Sequence, residues 1–189
     1  MFQEPYFIGQ RRGWVEIVCG CMFSGKTEEL IRRIKRSGIA GQNVQLFKPN
    51  KDIRYSETDV VSHSKNSLEA IGVNSSDEIY RFVTDMEEDK QVDVVGIDEA
   101  QFFDNKLPAV AEKLANDGIR VILAGLDMDY RGEPFDPMPE LLARAEFVTK
   151  VHAICRHCGN LATHSYRKSE DNEKIVLGES DIYEARCRK

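Results

Sequence analysis

Apolar residues fall into short runs separated by segments with helical spacing. Trp14-Val15-Glu16-Ile17-Val18-Cys19, Val44-Gln45-Leu46-Phe47, Val92-Asp93-Val94-Val95-Gly96-Ile97 and Arg120-Val121-Ile122-Leu123-Ala124-Gly125 read as strands. The last two are apolar enough to be buried on both faces of a parallel sheet. Leu30, Ile31 and Ile34 recur on one face of a helix that opens with Glu28 and Glu29 and ends at Gly38 and Gly41. The arginines of Arg32-Arg33-Ile34-Lys35-Arg36 fall on its other face, where they are expected in solvent or at a subunit contact. Ser75 followed by Glu78 has the spacing of a capping box and predicts a helix towards Glu88. Lys106 to Asp117 predicts another, stopped by Gly118. This alternation predicts an α/β fold, a mostly parallel sheet with helices on both faces.

The first strand runs into Gly20-Cys21-Met22-Phe23-Ser24-Gly25-Lys26-Thr27, which meets G-x-x-x-x-G-K-[ST] at every specified position and precedes a helix. In a loop of this kind successive backbone N–H groups point inward around a polyphosphate at the positive end of the helix. Lys26 would reach the β- and γ-phosphates, and the Thr27 hydroxyl would hold Mg²⁺. The motif specifies a nucleoside triphosphate and leaves the reaction open.

Asp98 and Glu99 stand at the tip of the strand ending at Ile97. An aspartate there can hold Mg²⁺ through water, and a following glutamate can act as a base. The polar segment Lys48 to Ser64 leaves a strand end on the ligand side of the sheet and carries Arg54, which is either a phosphate ligand or a solvated loop arginine. Leu126-Asp127-Met128-Asp129-Tyr130-Arg131-Gly132-Glu133-Pro134-Phe135 is too aromatic to be only a connector.

Composition narrows the class. With 189 residues, 41% hydrophobic and 31% charged, the chain reads as one full-sized globular domain with a small appendage. A net charge of −6 argues against a protein that coats nucleic acid. The sequence shows neither a membrane-spanning run nor a signal peptide, so a cytoplasmic protein is expected. Residues 1–150 are expected to form the nucleotide-binding domain and 151–189 a separate small one.

That small part carries Cys155-Arg156-His157-Cys158 and, near its end, Cys187. A C-x-x-C pair forms a knuckle suited to tetrahedral zinc, which needs four ligands in a structural site. Three are in pattern; the fourth is expected just beyond Lys189, with His157 or His152 as substitutes, and unpaired thiols without zinc as the alternative. Arg167 to Ser180, between the two arms, reads as a charged, flexible loop tethered at its base, a device suited to a substrate lid.

Taken together, these motifs resemble the type II thymidine kinases, which pair a P-loop domain with a zinc-bound lasso. The carriers are the residue 20–27 loop, Asp52-Ile53-Arg54-Tyr55-Ser56, Ile97-Asp98-Glu99-Ala100-Gln101-Phe102-Phe103, Gly125-Leu126-Asp127 with Pro134-Phe135, and Cys155, Cys158, Tyr183 and Cys187. The resemblance covers nearly the whole chain. It implies transfer of the ATP γ-phosphoryl group to the 5′-hydroxyl of thymidine or deoxyuridine, with Glu99 as the base and Lys26 and Arg54 as charge stabilisers. It further implies phosphate contacts from Asp98, Glu99 and Gln101 beside the loop. A nucleoside pocket would be lined by Met22, Phe102, Leu126, Tyr130, Phe135, Ser165 and Tyr183, with Val176, Leu177 and Gly178 of the lasso reading the base edge. Tyr130 stands where phenylalanine is usual in the family. A homotetramer and feedback inhibition by thymidine triphosphate are also implied, with no role for membrane or nucleic acid. Two other readings use part of the pattern: an ATPase in which Glu99 activates water, and a zinc module that binds nucleic acid.

Overall fold

The structure is a computed structural model and describes residues 12–50, 59–61, 67–87, 91–168 and 182–189. Its centre is a six-stranded sheet in which every neighbouring pair is parallel. The strands are β1 (Trp14–Cys19), β2 (Val44–Pro49), β5 (Ile71–Val73), β6 (Val94–Ile97), β7 (Arg120–Gly125) and β8 (Phe147–Lys150), in the order β5-β2-β6-β7-β1-β8. β3 (Asp59–Val61), inside the polar segment Lys48 to Ser64, pairs antiparallel with β4 (Ser67–Glu69), just beyond it.

Side chains alternate across the sheet and give it two apolar faces. Val15, Ile17 and Cys19 of β1, with Val95, Ile97, Val121 and Leu123, pack under α2 (Ser76–Thr84), α3 (Leu107–Asn116) and α4 (Met138–Arg144). Val18, Val94, Ile122 and Ala124 pack under Leu30, Ile31 and Ile34 of α1 (Lys26–Ile39). The expected α/β fold with helices on both faces is therefore the one observed.

Three local expectations differ. Arg33 is fully buried rather than solvated, because Glu16 and Glu29 accept from its guanidinium at 2.7 and 2.9 Å and Thr149 accepts at 3.0 Å. Glu16, also fully buried, accepts from Arg120 Nε at 2.6 Å as well, so a buried carboxylate is shared by two guanidiniums. Ser75 does stand at the N-cap of α2, but its side chain makes no capping bond. Glu78 instead accepts from the Asn74 N–H, while Asp104 takes both the N–H and the hydroxyl of Ser76. Finally, α2 ends at Thr84, short of Glu88.

After Lys150 the chain forms two small antiparallel ladders, β9 (Ala153–Ile154) with β10 (Leu161–Ala162), and β11 (His164–Arg167) with β12 (Tyr183–Arg186). Among the described residues no helix is long and apolar enough to cross a membrane.

Candidate active site

The P-loop motif forms the turn between β1 and α1. Gly20 has φ +149°, and a Cβ there would lie 2.2 Å from the Val151 carbonyl oxygen; Gly25, at φ +85°, opens the helix with no side chain to cap it. The first N–H groups of a 14-residue helix thus face the loop without a competing side-chain acceptor, which suits a phosphate. Lys26 donates to the Cys21 carbonyl at 2.8 Å, as does Ser24 at 2.7 Å.

Three of the four variable positions of the loop are fastened to the C-terminal ladders. Cys21 Sγ lies 3.4 Å from the Ala162 carbonyl, Met22 N–H donates to Ser165 Oγ at 3.0 Å, and Phe23, at φ +63°, packs on a small core that includes Cys155 and Ala185. Burial pushes the thiol of Cys21 up, and that of Cys19 to about 11, so both stay protonated near neutral pH and serve as packing groups.

The second half of the site rises from β6. Thr27 Oγ1 lies 3.2 Å from Asp98 Oδ2, bringing the loop hydroxyl and the strand-tip carboxylate together across 71 positions of sequence. Burial pushes the Asp98 carboxyl up to about 7, the neighbouring Glu99 adds to the shift, and the Glu99 N–H, Lys26 and Thr27 partly offset it. A buried carboxylate beside a hydroxyl is a hard-oxygen pair that fits Mg²⁺. Glu99 has a left-handed backbone, φ +51°, a conformation that costs a non-glycine residue about 1–2 kcal/mol. Gln101 Nε2 donates to Glu99 Oε2 at 2.5 Å. Gln101 Oε1 accepts the Leu126 N–H at 2.9 Å, which fixes which end of the amide faces Glu99. Gln101 is buried between two strand tips, a position legible in the sequence only as part of a motif.

β7 lies between β1 and β6, so the loop beginning at Leu126 emerges between the P-loop and the acidic pair. With strands about 4.8 Å apart, the tips of β1 and β6 stand about 10 Å from each other. Phe102 and Phe135 meet edge to face at 6.0 Å. Asp129 Oδ1 accepts the N–H groups of Arg131 and Glu133, closing the turn that carries Tyr130. Tyr130 and Tyr183 both contact Arg167, and Ser165 is buried against Met22. Met22, Phe102, Leu126, Tyr130, Phe135, Ser165 and Tyr183 are thus all described, while Arg54, Val176, Leu177 and Gly178 lie outside the described residues.

The ligand atoms of Cys155, Cys158 and Cys187 all lie within 4.8 Å of one another, and among the described residues this cluster includes no histidine. Cys158 and Cys187 sulfurs are 3.6 Å apart, close to the roughly 3.8 Å separation that tetrahedral zinc with 2.3 Å bonds requires. The backbone N–H of Cys187, followed by those of Cys158 and His157, lowers the Cys155 thiol to about 6, favouring the thiolate that a metal binds. The three thiols fit a structural metal site and would supply three of the four ligands that tetrahedral zinc takes.

The family model described as "Thymidine kinase" matches residues 13–189. The chain belongs to the thymidine kinase family. Proteins named thymidine kinase from Rhodothermus sp., Porphyromonas gingivalis and Bacteroides thetaiotaomicron are similar to it at 53%, 54% and 54% identity. These matches cover 100%, 94% and 95% of this chain and 87%, 84% and 87% of the respective relatives. Within the thymidine kinase family the chain is an enzyme with ATP as its donor, which accounts for the intact P-loop and the acidic pair facing it.

Proposed function

We infer that the protein phosphorylates thymidine or deoxyuridine at the 5′-hydroxyl, taking the γ-phosphoryl group of ATP, in deoxyribonucleotide salvage. The observation that carries this reading is the Glu99 carboxylate, held by Gln101 against the root of the aromatic loop and next to the Thr27 and Asp98 pair. In this reading Gly20 to Thr27 cradle the phosphates and Lys26 neutralises charge on the β and γ oxygens, joined by Arg54. Thr27 and Asp98 would hold Mg²⁺, which when bound would supply charge neutralisation at the phosphates. Met22, Phe102, Leu126, Tyr130, Phe135, Ser165 and Tyr183, with Val176 to Gly178, enclose the nucleoside.

Glu99 accepts the proton of the 5′-hydroxyl as its oxygen forms a bond to the γ-phosphorus. The bond from that phosphorus to the β–γ bridging oxygen breaks, and ADP leaves with the electron pair. Most of the rate gain comes from alignment and fixed charge, because the P-loop amides and Lys26 are oriented before reaction.

Zinc held by Cys155, Cys158 and Cys187 would anchor the ladders that carry Ser165 and Tyr183. Membership of the family favours a homotetramer in the cytoplasm and inhibition by thymidine triphosphate, whose base would occupy the nucleoside pocket and whose phosphates would occupy the donor site.

One assay tests the reading. The protein is incubated with Mg·ATP and a panel of nucleosides, and thymidine monophosphate is the expected product. Free phosphate without an acceptor would make it an ATPase, and no turnover would remove the enzymatic assignment.

A further inference from the structure

Arg167 is 6% exposed, an unusual depth for a guanidinium, and its contacts explain it. Its central carbon lies 3.6 Å from the centre of the Tyr130 ring, a close cation–π stack. Its Nε and Nη2 donate to the Tyr183 hydroxyl at 3.1 and 2.8 Å. Tyr130 belongs to the loop after β7 and Tyr183 opens β12, so one side chain joins two elements that the backbone leaves separate. Arg167 and Tyr183 are direct partners in the β11–β12 ladder, and Ser165, two residues earlier on the same buried face of β11, accepts the Met22 N–H of the P-loop.

We propose that Arg167 is a positioning residue for the nucleoside: it sets the separation of Tyr130 and Tyr183 so that the two rings form a fixed wall for the base. The proposal rests on the reading of those tyrosines as pocket residues. A planar guanidinium can stack on one ring and donate two bonds to the other hydroxyl at once, whereas an ammonium is a compact point charge that cannot reproduce that geometry. The side chain acts through the tyrosines and makes no claim on the phosphates, so its effect falls on nucleoside affinity.

The test compares wild type with Arg167→Met, Arg167→Lys and Tyr183→Phe. Steady-state kinetics in thymidine and in ATP are combined with thermal shifts induced by thymidine or by Mg·ATP. Thymidine turnover by the wild type tests the functional reading by itself. Given that turnover, Arg167→Met should raise KM for thymidine about tenfold, with KM for ATP and kcat within about twofold. Arg167→Lys should fail to rescue, and Tyr183→Phe should show a smaller shift of the same kind. The double variant Arg167→Met/Tyr183→Phe should be no worse than Arg167→Met alone. Stabilisation by thymidine should shrink while that by Mg·ATP persists. Equal loss of both stabilisations, full rescue by lysine, or unchanged thymidine KM would overturn the proposal. If the Arg167 variants do not fold, Tyr183→Phe decides by the same KM split and thermal shifts.

Discussion

Glu99 and Leu126 are bound to opposite ends of one amide, that of Gln101, with the carboxylate accepting from Nε2 and the Leu126 N–H donating to Oε1. The proposed proton acceptor and the root of the aromatic loop therefore keep a fixed spacing. Gln101→Leu removes both bonds while keeping volume, and kcat for thymidine should fall about 10- to 100-fold through misplacement of the carboxylate. KM for ATP should stay within about twofold. Steady-state kinetics check this; an equal change in both parameters would give Gln101 a direct contact with ATP instead.

Glu99→Gln keeps the shape of the side chain and removes its ability to take a proton. Turnover should drop about 10²- to 10⁴-fold, while Mg·ATP binding measured by calorimetry stays near wild type. Retention of full turnover would assign the base to another group.

The buried Glu16 carboxylate serves Arg33 and Arg120 together. Replacing it with glutamine leaves two buried guanidiniums facing a neutral amide, and stability should fall by about 3–5 kcal/mol. Urea unfolding should show a lower midpoint with an unchanged slope. An unshifted midpoint would mean that water reaches the arginines.

Glu29 is held at about 2, first by the Arg32 guanidinium and then by Arg33, with burial opposing both. A carboxylate with a depressed folded pKa contributes stability above its ordinary value of 4.5, and that contribution is lost as pH falls from 4.5 towards 2. Glu29→Gln should flatten the stability profile in this window, by on the order of 1 kcal/mol once solvent screening of the half-exposed Arg32 partner is allowed for. Unfolding measured at several pH values between 2 and 6 decides it, and parallel profiles would count against the pairing.

Metal analysis should find about one zinc per chain. Stripping it with a chelator should lower the melting temperature and also weaken Mg·ATP binding, because Cys21 and Phe23 of the P-loop pack with Cys155 and Cys187. Protein free of zinc as purified, with full stability, would defeat this.

Local signals account for what the sequence revealed. β7 could be read to the residue, since an unbroken apolar run between Gly118 and the aromatic loop has few other uses. The P-loop and the acidic pair were visible because their chemistry demands neighbours in sequence. Arg33 was misplaced because its partner Glu16 stands 17 residues away on a strand, and helix periodicity cannot register an ion pair across layers. The capping box at Ser75 and Glu78 failed for a similar reason: Asp104, 28 residues from Ser76, supplies the acceptor. Arg167 read as part of a mobile charged loop because its partners Tyr130 and Tyr183 meet only in three dimensions.

The interior position of β7 has a bearing on how acceptor choice could be altered. In the proposed reading donor chemistry rests on the flanking strands, so the segment beyond Leu126 is the part to exchange, with the Leu126 N–H that anchors Gln101 and Glu99 kept in place. That insert and its Tyr130 contact with Arg167 on β11 are therefore where a change of acceptor would be sought while the fuel is kept.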